Sequence, residues 1–188
     1  AIYARFILGL EPVKPVSSLP DPARRGTIFH AAIGDFLTQN PTVLPADAAQ
    51  RLEDHGRQHF AAIKAYPGLV SFWWPRFRRI AQWIAEQEPL WRDGVERVAA
   101  ETNGLVTFPV AGEDFTLSCR ADRIDLMADG WARIVDFKTG GVPSAKEVEA
   151  GLAPQLTLQA AILAHGGFTG VNARNTGQVW YVKLSGGE

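Results

Sequence analysis

Two runs rich in β-branched and aromatic residues, Phe115 to Met127 and Trp131 to Thr139, are separated only by Ala128-Asp129-Gly130. Read as a three-residue hairpin loop, that spacer puts Gly130 where a left-handed residue is wanted, and Met127 then pairs with Trp131. Counting outward sets Leu126 against Ala132, Ile124 against Ile134 and Asp122 against Asp136. Cβ atoms of directly opposed residues lie about 4.5–5.5 Å apart. Alternation puts Lys138 on the face of Asp136. A two-residue loop would instead set Asp122 against Phe137. Two carboxylates this close repel unless something positive lies between them. A divalent cation of the Mg²⁺ or Mn²⁺ kind suits hard oxygen donors, and a neighbouring lysine can hold a water and a phosphoryl charge. The bland reading is a solvated surface hairpin. Against it, Ile124, Ile134, Val135 and Phe137 flank the charges, as in strands buried at the centre of a sheet, where charges need partners.

Composition narrows the setting. At 188 residues the chain can bury a core and is expected to be one domain. A net charge of −1 supplies no overall field for a polyanion, so nucleic-acid contact must use local basic patches. The one cysteine, Cys119, excludes an internal disulfide or a cysteine-held iron–sulfur cluster within these residues. No uncharged apolar run approaches the roughly 20 residues that span a bilayer, and no signal-peptide pattern opens the chain. A cytoplasmic setting without a membrane partner is therefore expected. The chain starts without Met, inside a helix-like phrase from Ile2 to Leu8, and reads as a piece of a longer protein.

Ahead of the hairpin the pattern is helical. After a connector bearing Pro12, Pro15 and Pro20, Asp21-Pro22 gives an N-cap and first-turn signal. Ala23 to Leu37 then gathers Ile28, Phe29, Ala32, Ile33 and Phe36 on one face. Gly26 and Gly34 each cost this helix up to about 1 kcal/mol relative to Ala, which points to something packed closely against them. A second helix is expected over Ala46 to Tyr66, ended by Pro67-Gly68, and a third over Phe72 to Trp91. Val98 to Val110 reads as a strand. Beyond the hairpin, Ser144 to Glu147 has capping-box spacing, Pro154 suits the first turn of a helix to His165, and Gln178 to Val182 reads as a returning strand. The expected fold is α/β, a central mixed sheet flanked by helices. Residues 1–94 form a mainly helical wall and 95–188 an αβ core.

Asp122 followed by Asp136-Phe137-Lys138 resembles the PD-(D/E)XK nuclease signature. Arg120-Ala121-Asp122-Arg123-Ile124-Asp125 and Ile134-Val135-Asp136-Phe137-Lys138-Thr139-Gly140 are similar to the RecB-type branch, and most of all to the C-terminal nuclease domain of AddB subunits. The resemblance implies a restriction-endonuclease-like core and a metal-dependent deoxyribonuclease of exonuclease or end-processing type. It implies a place in a helicase–nuclease of double-strand break repair and recombination, with an AddA-type partner subunit and single strands of DNA delivered by a helicase. Gly26-Thr27-Ile28-Phe29-His30 matches that branch's GxxxH motif. By resemblance, His30, Asp122, Asp136 and the Phe137 backbone carbonyl bind Mg²⁺ or Mn²⁺, Lys138 is the catalytic lysine, and Glu101 and Gln155 support the site. Gln155 begins a QxxxY motif whose tyrosine is here Gln159. Many AddB domains also hold an iron–sulfur cluster through four cysteines, which Cys119 alone cannot do.

Several further signals carry weaker readings. Phe72-Trp73-Trp74-Pro75-Arg76-Phe77-Arg78-Arg79 mixes aromatics with arginines as single-strand-binding surfaces do. Trp73, Arg76, Arg78 and Arg79 are therefore candidate DNA contacts, although tryptophans at helical spacing also suit a core. Arg24 and Arg25 are a second candidate phosphate contact. His55 and His59 have zinc-pair spacing but lack the metalloprotease Glu, and read as a solvated face. Asp125 is expected to face Arg133 in a structural ion pair. Two other functions remain open: a catalytically silent scaffold for DNA guidance or subunit contact, and a metal-dependent hydrolase of another phosphate ester.

Overall fold

The computed structural model describes residues 21–173 and 175–185. The phrase from Ile2 to Leu8 and the prolines Pro12, Pro15 and Pro20 lie outside the described residues. Helix α1 (Pro22–Gln39) starts where Asp21 Oδ1 accepts the Arg24 N–H at 2.9 Å, the N-cap that the sequence predicts. Helix α2 (Ala48–Phe60) runs into a 3₁₀ turn at Ala61–Ile63. Pro67 departs from expectation, since it opens α3 (Pro67–Trp91) instead of closing α2. In a first turn the missing proline N–H costs nothing, because that donor has no intrahelical acceptor.

The three helices pack through rings. The Phe29 and Phe77 centroids are 5.2 Å apart, and Phe60 stands 5.2 Å from Trp74. Gly56 permits this closeness, because a Cβ there would lie 2.2 Å from Cε1 of Phe77. Trp73 is 5% exposed within the same core. The stacking role expected of it is withdrawn, because its ring is used for packing.

The sheet follows as β1 (Val95–Val110), β2 (Glu113–Met127), β3 (Trp131–Lys138) and β4 (Asn175–Lys183), in that spatial order. The first three strands are antiparallel. Strand β4 runs parallel to β3 after a crossover through α4 (Ala145–Glu149) and α5 (Gln155–Ala164). The mixed sheet flanked by helices is the one expected. Ser144 and Glu147 form the capping box. Gly130 adopts φ +87°, Asp129 caps the Trp131 N–H at 3.1 Å, and Ile124 pairs with Ile134 in the predicted register. One face of the sheet closes on α1 to α3 through Val98, Val135 and Phe137, the other on α5 through Ile124, Ile134 and Leu156. Among the described residues, no helix is long and apolar enough to cross a membrane.

A buried ionic network joins α3 to the hairpin. Asp125 pairs with Arg133 across the strands as expected, at 2.8 Å to Nε, but the pair is buried and larger than foreseen. Arg123, fully buried, bonds Asp125 at 2.6 Å and also Glu88 of α3. Arg92 holds the other Glu88 oxygen at 2.6 Å. Arg133 reaches the Trp91 carbonyl and stacks 3.9 Å from the Trp180 ring centroid.

Two substitutions test this packing by urea unfolding. Arg123→Met leaves buried carboxylates short of a cation and is expected to cost about 3–5 kcal/mol. Gly56→Leu drives a side chain into Phe77 and is expected to cost about 1–3 kcal/mol.

Candidate active site

Both strands of the first hairpin change face at one point. Ala99 and Gly104 are five residues apart on β1, yet both meet the core beneath α5, Gly104 directly against Phe168. Ala121 and Ile124, three apart on β2, also share that core. The register is unchanged across the break, with Ala100 opposite Arg123 and Thr102 opposite Ala121. The residues at the break are Glu101 and Asp122. Glu101 has φ +51°, a left-handed conformation that costs a residue with a Cβ about 1–3 kcal/mol. Strain of this size persists only where surrounding contacts enforce it.

Those contacts come from α1. Gly26, His30 and Gly34 recur every four residues and so share a helical face. A Cβ on Gly34 would fall 2.5 Å from Cγ and Oε1 of Glu101, and one on Gly26 would fall 3.1 Å from Oγ1 of Thr139. The close packing that these glycines predict is thus against the sheet. Between them, His30 Nδ1 lies 3.3 Å from Asp122 Oδ2. Glu101 is held on its other side by Arg120 Nε at 2.6 Å. Gly26, Thr27, His30, Ala31, Glu101 and Arg120 line a groove of about 340 Å³.

The ladder between β2 and β3 ends at Arg123–Val135, so Asp122 and Asp136 do not form the ladder pair that the register extrapolates. Asp122 Oδ2 instead accepts the Phe137 N–H at 2.9 Å. Asp136 is 2% exposed, and Lys138 Nζ stands 2.8 Å from its Oδ2. That contact is an ion pair in which the ammonium opposes the burial of the carboxylate. Gln155, first residue of α5, donates to Asp136 Oδ1 and accepts from Lys138 at 2.7 Å. Three residues from β3 and α5 thereby close on one another.

Burial raises the Asp136 carboxyl above its ordinary range. Lys138 opposes that shift and the negative charge of Asp122 adds to it. Glu101 is likewise raised by burial against the pull of Arg120. Burial alone would lower His30, but the hydrogen bond and charge of Asp122, with Asp136 and Glu101 beyond, carry it upward. The predicted residues His30, Glu101, Asp122, Asp136, Lys138 and Gln155 are therefore one interacting group. Among the described residues, no three His, Cys, Asp or Glu side chains already converge on one point as a metal cage. The donor set still fits a hard cation, offering carboxylates from two neighbouring strands beside the His30 imidazole.

Other candidates fall elsewhere. Arg78 is taken by Glu53 at 3.2 Å. The solvated face expected of the histidines is corrected at His55, which is buried against the Phe36 ring, and holds at His59, which pairs with the exposed Asp35 at 2.6 Å. Gln159 is buried, with Nε2 3.5 Å from the Arg120 carbonyl and Oε1 unbonded. Sequence reasoning missed Arg120 and Tyr181. Tyr181 pairs with Asp136 across β3 and β4, and its ring centroid is 5.5 Å from Lys138 Nζ. The Arg120 signal was present, two residues before Asp122. Nothing in the sequence pairs Tyr181 with Asp136, 45 positions earlier.

The model of the PD-(D/E)XK nuclease superfamily matches residues 3–188. An uncharacterized protein of Rickettsia conorii (strain ATCC VR-613 / Malish 7) is 35% identical over 82 residues, 44% of this chain and 10% of that protein. One of Rickettsia bellii (strain RML369-C) is 24% identical over 168 residues, 88% of this chain and 20% of that protein. The chain thus spans about a tenth to a fifth of the length of the curated relatives it matches.

Metal-free protein offers a test of the His30–Asp122 contact. By NMR titration, His30 is expected to lose its proton above the ordinary imidazole value, and Asp122→Asn is expected to lower that pKa. The pair stabilises the fold fully below the unfolded imidazole pKa. That contribution is lost as pH rises through the folded value.

Proposed function

Because the chain belongs to the PD-(D/E)XK nuclease superfamily, we propose that it is a divalent-metal-dependent deoxyribonuclease domain built on Asp122, Asp136 and Lys138. The observation that carries this reading is the opened end of the β2–β3 ladder. There two acidic residues of neighbouring strands lie beside a lysine that contacts one of them at 2.8 Å. Asp122, Asp136 and His30, with the Phe137 carbonyl, would hold Mg²⁺ or Mn²⁺. When bound, such an ion neutralises a phosphate and lowers the pKa of a water.

The remaining roles belong to the chain's own groups. Lys138 Nζ, fixed between Asp136 and Gln155, holds a positive charge and proton donors where an attacking water and a phosphoryl oxygen would meet. Gln155 is a positioning residue, keeping the Asp136 carboxylate and the Lys138 ammonium at a set separation. Glu101, pressed between Gly34 and Arg120, adds negative charge behind Asp122 and His30. Phosphodiester hydrolysis by in-line attack with departure of the 3′ oxygen is the reaction these roles serve.

Finer than this, we place the chain with the nuclease domains of AddB-type subunits. It would trim single strands fed by the helicase activity of an AddA-type partner during break repair and recombination in the cytoplasm. The GxxxH stretch ending at His30, the wording around Asp122 and the much greater length of the relatives support that placement.

The deciding experiment follows degradation of single-stranded DNA with Mn²⁺ or Mg²⁺. Wild-type protein is expected to cut, and EDTA to stop it. Asp136→Ala and Lys138→Ala are each expected to lose about a hundredfold or more in rate. Equal residual cutting by all three proteins would overturn the enzymatic reading and leave a non-catalytic scaffold.

A further inference from the structure

We propose that Arg25 and Arg76 form a phosphate-binding subsite for a nucleic-acid strand, beside the groove that leads to His30. The proposal rests on the nuclease reading above and assigns where the strand is held away from the acidic residues.

The placement follows from helix packing. Helices α1 and α3 touch where the Phe29 and Phe77 rings lie 5.2 Å apart. Arg25 is one turn before Phe29 on α1, and Arg76 precedes Phe77 on α3, so both side chains leave their helices beside that contact. Their charges are felt: burial first, then Arg25 and Arg79, hold the Arg76 guanidinium below its ordinary pKa. The Nε atoms of Arg25 and Arg76 are both shut away from solvent without a hydrogen-bond acceptor. Arginine elsewhere in this chain usually finds an acid, as Arg78 finds Glu53 and Arg120 finds Glu101. Neither Arg25 nor Arg76 has a carboxylate partner among the described residues.

Two like charges near one another repel, and an anion bonded to their outer guanidinium N–H groups relieves that repulsion. The planar guanidinium fork matches phosphate with two parallel hydrogen bonds, which explains arginine here in preference to lysine. The groove begins at Gly26, next to Arg25, and ends at Glu101 and Arg120. From Arg25 to His30 is five residues of helix, about 7.5 Å along the axis. One phosphate group does not span that distance, so a small phosphodiester engages one end of the groove and a strand engages both.

The test is binding of a labelled single-stranded oligonucleotide in EDTA, which separates it from cleavage. The double variant Arg25→Gln, Arg76→Gln is expected to bind at least tenfold more weakly at about 0.1 M salt. The slope of log K against log salt should shrink by about 0.7 for each phosphate no longer neutralised, and Arg76→Gln alone should remove one such step. Arg51→Gln, which removes an exposed arginine already paired with Asp47 at 2.7 Å, should bind within twofold of wild type. The melting temperature of the double variant should hold or rise, because a repulsion has been relieved. Unchanged affinity and slope, an equal loss in Arg51→Gln, no binding by wild type, or a melting temperature lower by more than a few degrees would each overturn the subsite. Loss of binding as expected in a wild-type protein that cuts nothing would leave the subsite standing and sink the nuclease reading.

Discussion

A β-ladder offers side chains only two directions, so the pairing of Ile124 with Ile134 decides where every charge of the hairpin goes. In the observed register Arg123, Asp125 and Arg133 face α3, where Glu88 and Arg92 complete a buried network. Asp136 and Lys138 face α5, where Gln155 meets both. A slip of one residue would exchange the two sets. It would push Ile124 and Ile134 out of one core and leave Arg123 and Asp125 without their partners. Buried ion pairs add little net stability, but leaving one of their charges unpaired costs several kcal/mol. The network on one face therefore guards the register that builds the site on the other.

The same hairpin makes a second commitment at Glu101 and Asp122. Were only one strand to change face there, the register beyond would shift and the two strands would present mismatched faces to α5. Because both change at facing positions, Gly104 still reaches Phe168 and Ala121 still reaches the core shared with Ile124. The strained φ of Glu101 is the local cost of that double turn. Its product is a carboxylate lying against Gly34, with His30 one helical turn away and Asp122 beside it. Helix α1 can approach only because positions 26 and 34 lack side chains, and that links two ordinary-looking glycines to the placement of the imidazole between them.

Much of this was legible. The loop Ala128-Asp129-Gly130 set the register by turn chemistry, and alternation then predicted which residues would be buried. Caps at Asp21 and Ser144 were readable because they act within four residues. Legibility failed where the deciding contact is distant. Glu88 pairs with Arg123 across 35 positions, and neither its helix nor its charge announces a buried partner. Trp73 and His55 carry polar or stacking potential in sequence, but the side of the helix facing Phe36, Phe60 and Phe77 took them into the core. Pro67 was ambiguous in principle, because a proline after one helix is equally a proline at the start of the next. The acidic pair was foreseen, whereas the early end of its ladder depends on Asp122 capturing the Phe137 N–H, which no propensity encodes.

Gln155 shows how the site reconciles charges that repel and attract within one contact shell. Its amide is neutral and offers both a donor and an acceptor, so it bonds a carboxylate and an ammonium together without altering the net charge between them. Glutamate at this position would repel Asp136, whose charged form burial already disfavours. Lysine would repel Lys138 and could accept nothing from it. A shorter amide would have to draw α5 toward the sheet, where Leu156 already fills the space next to Ile124 and Ile134. The length and the neutrality of the side chain are thus both fixed by its neighbours. It sits at the first residue of α5, where the helix presents unpaired N–H groups and a partial positive charge that suits a carboxylate nearby. Amide and lysine both favour the charged form of Asp136, against the burial that raises its carboxyl.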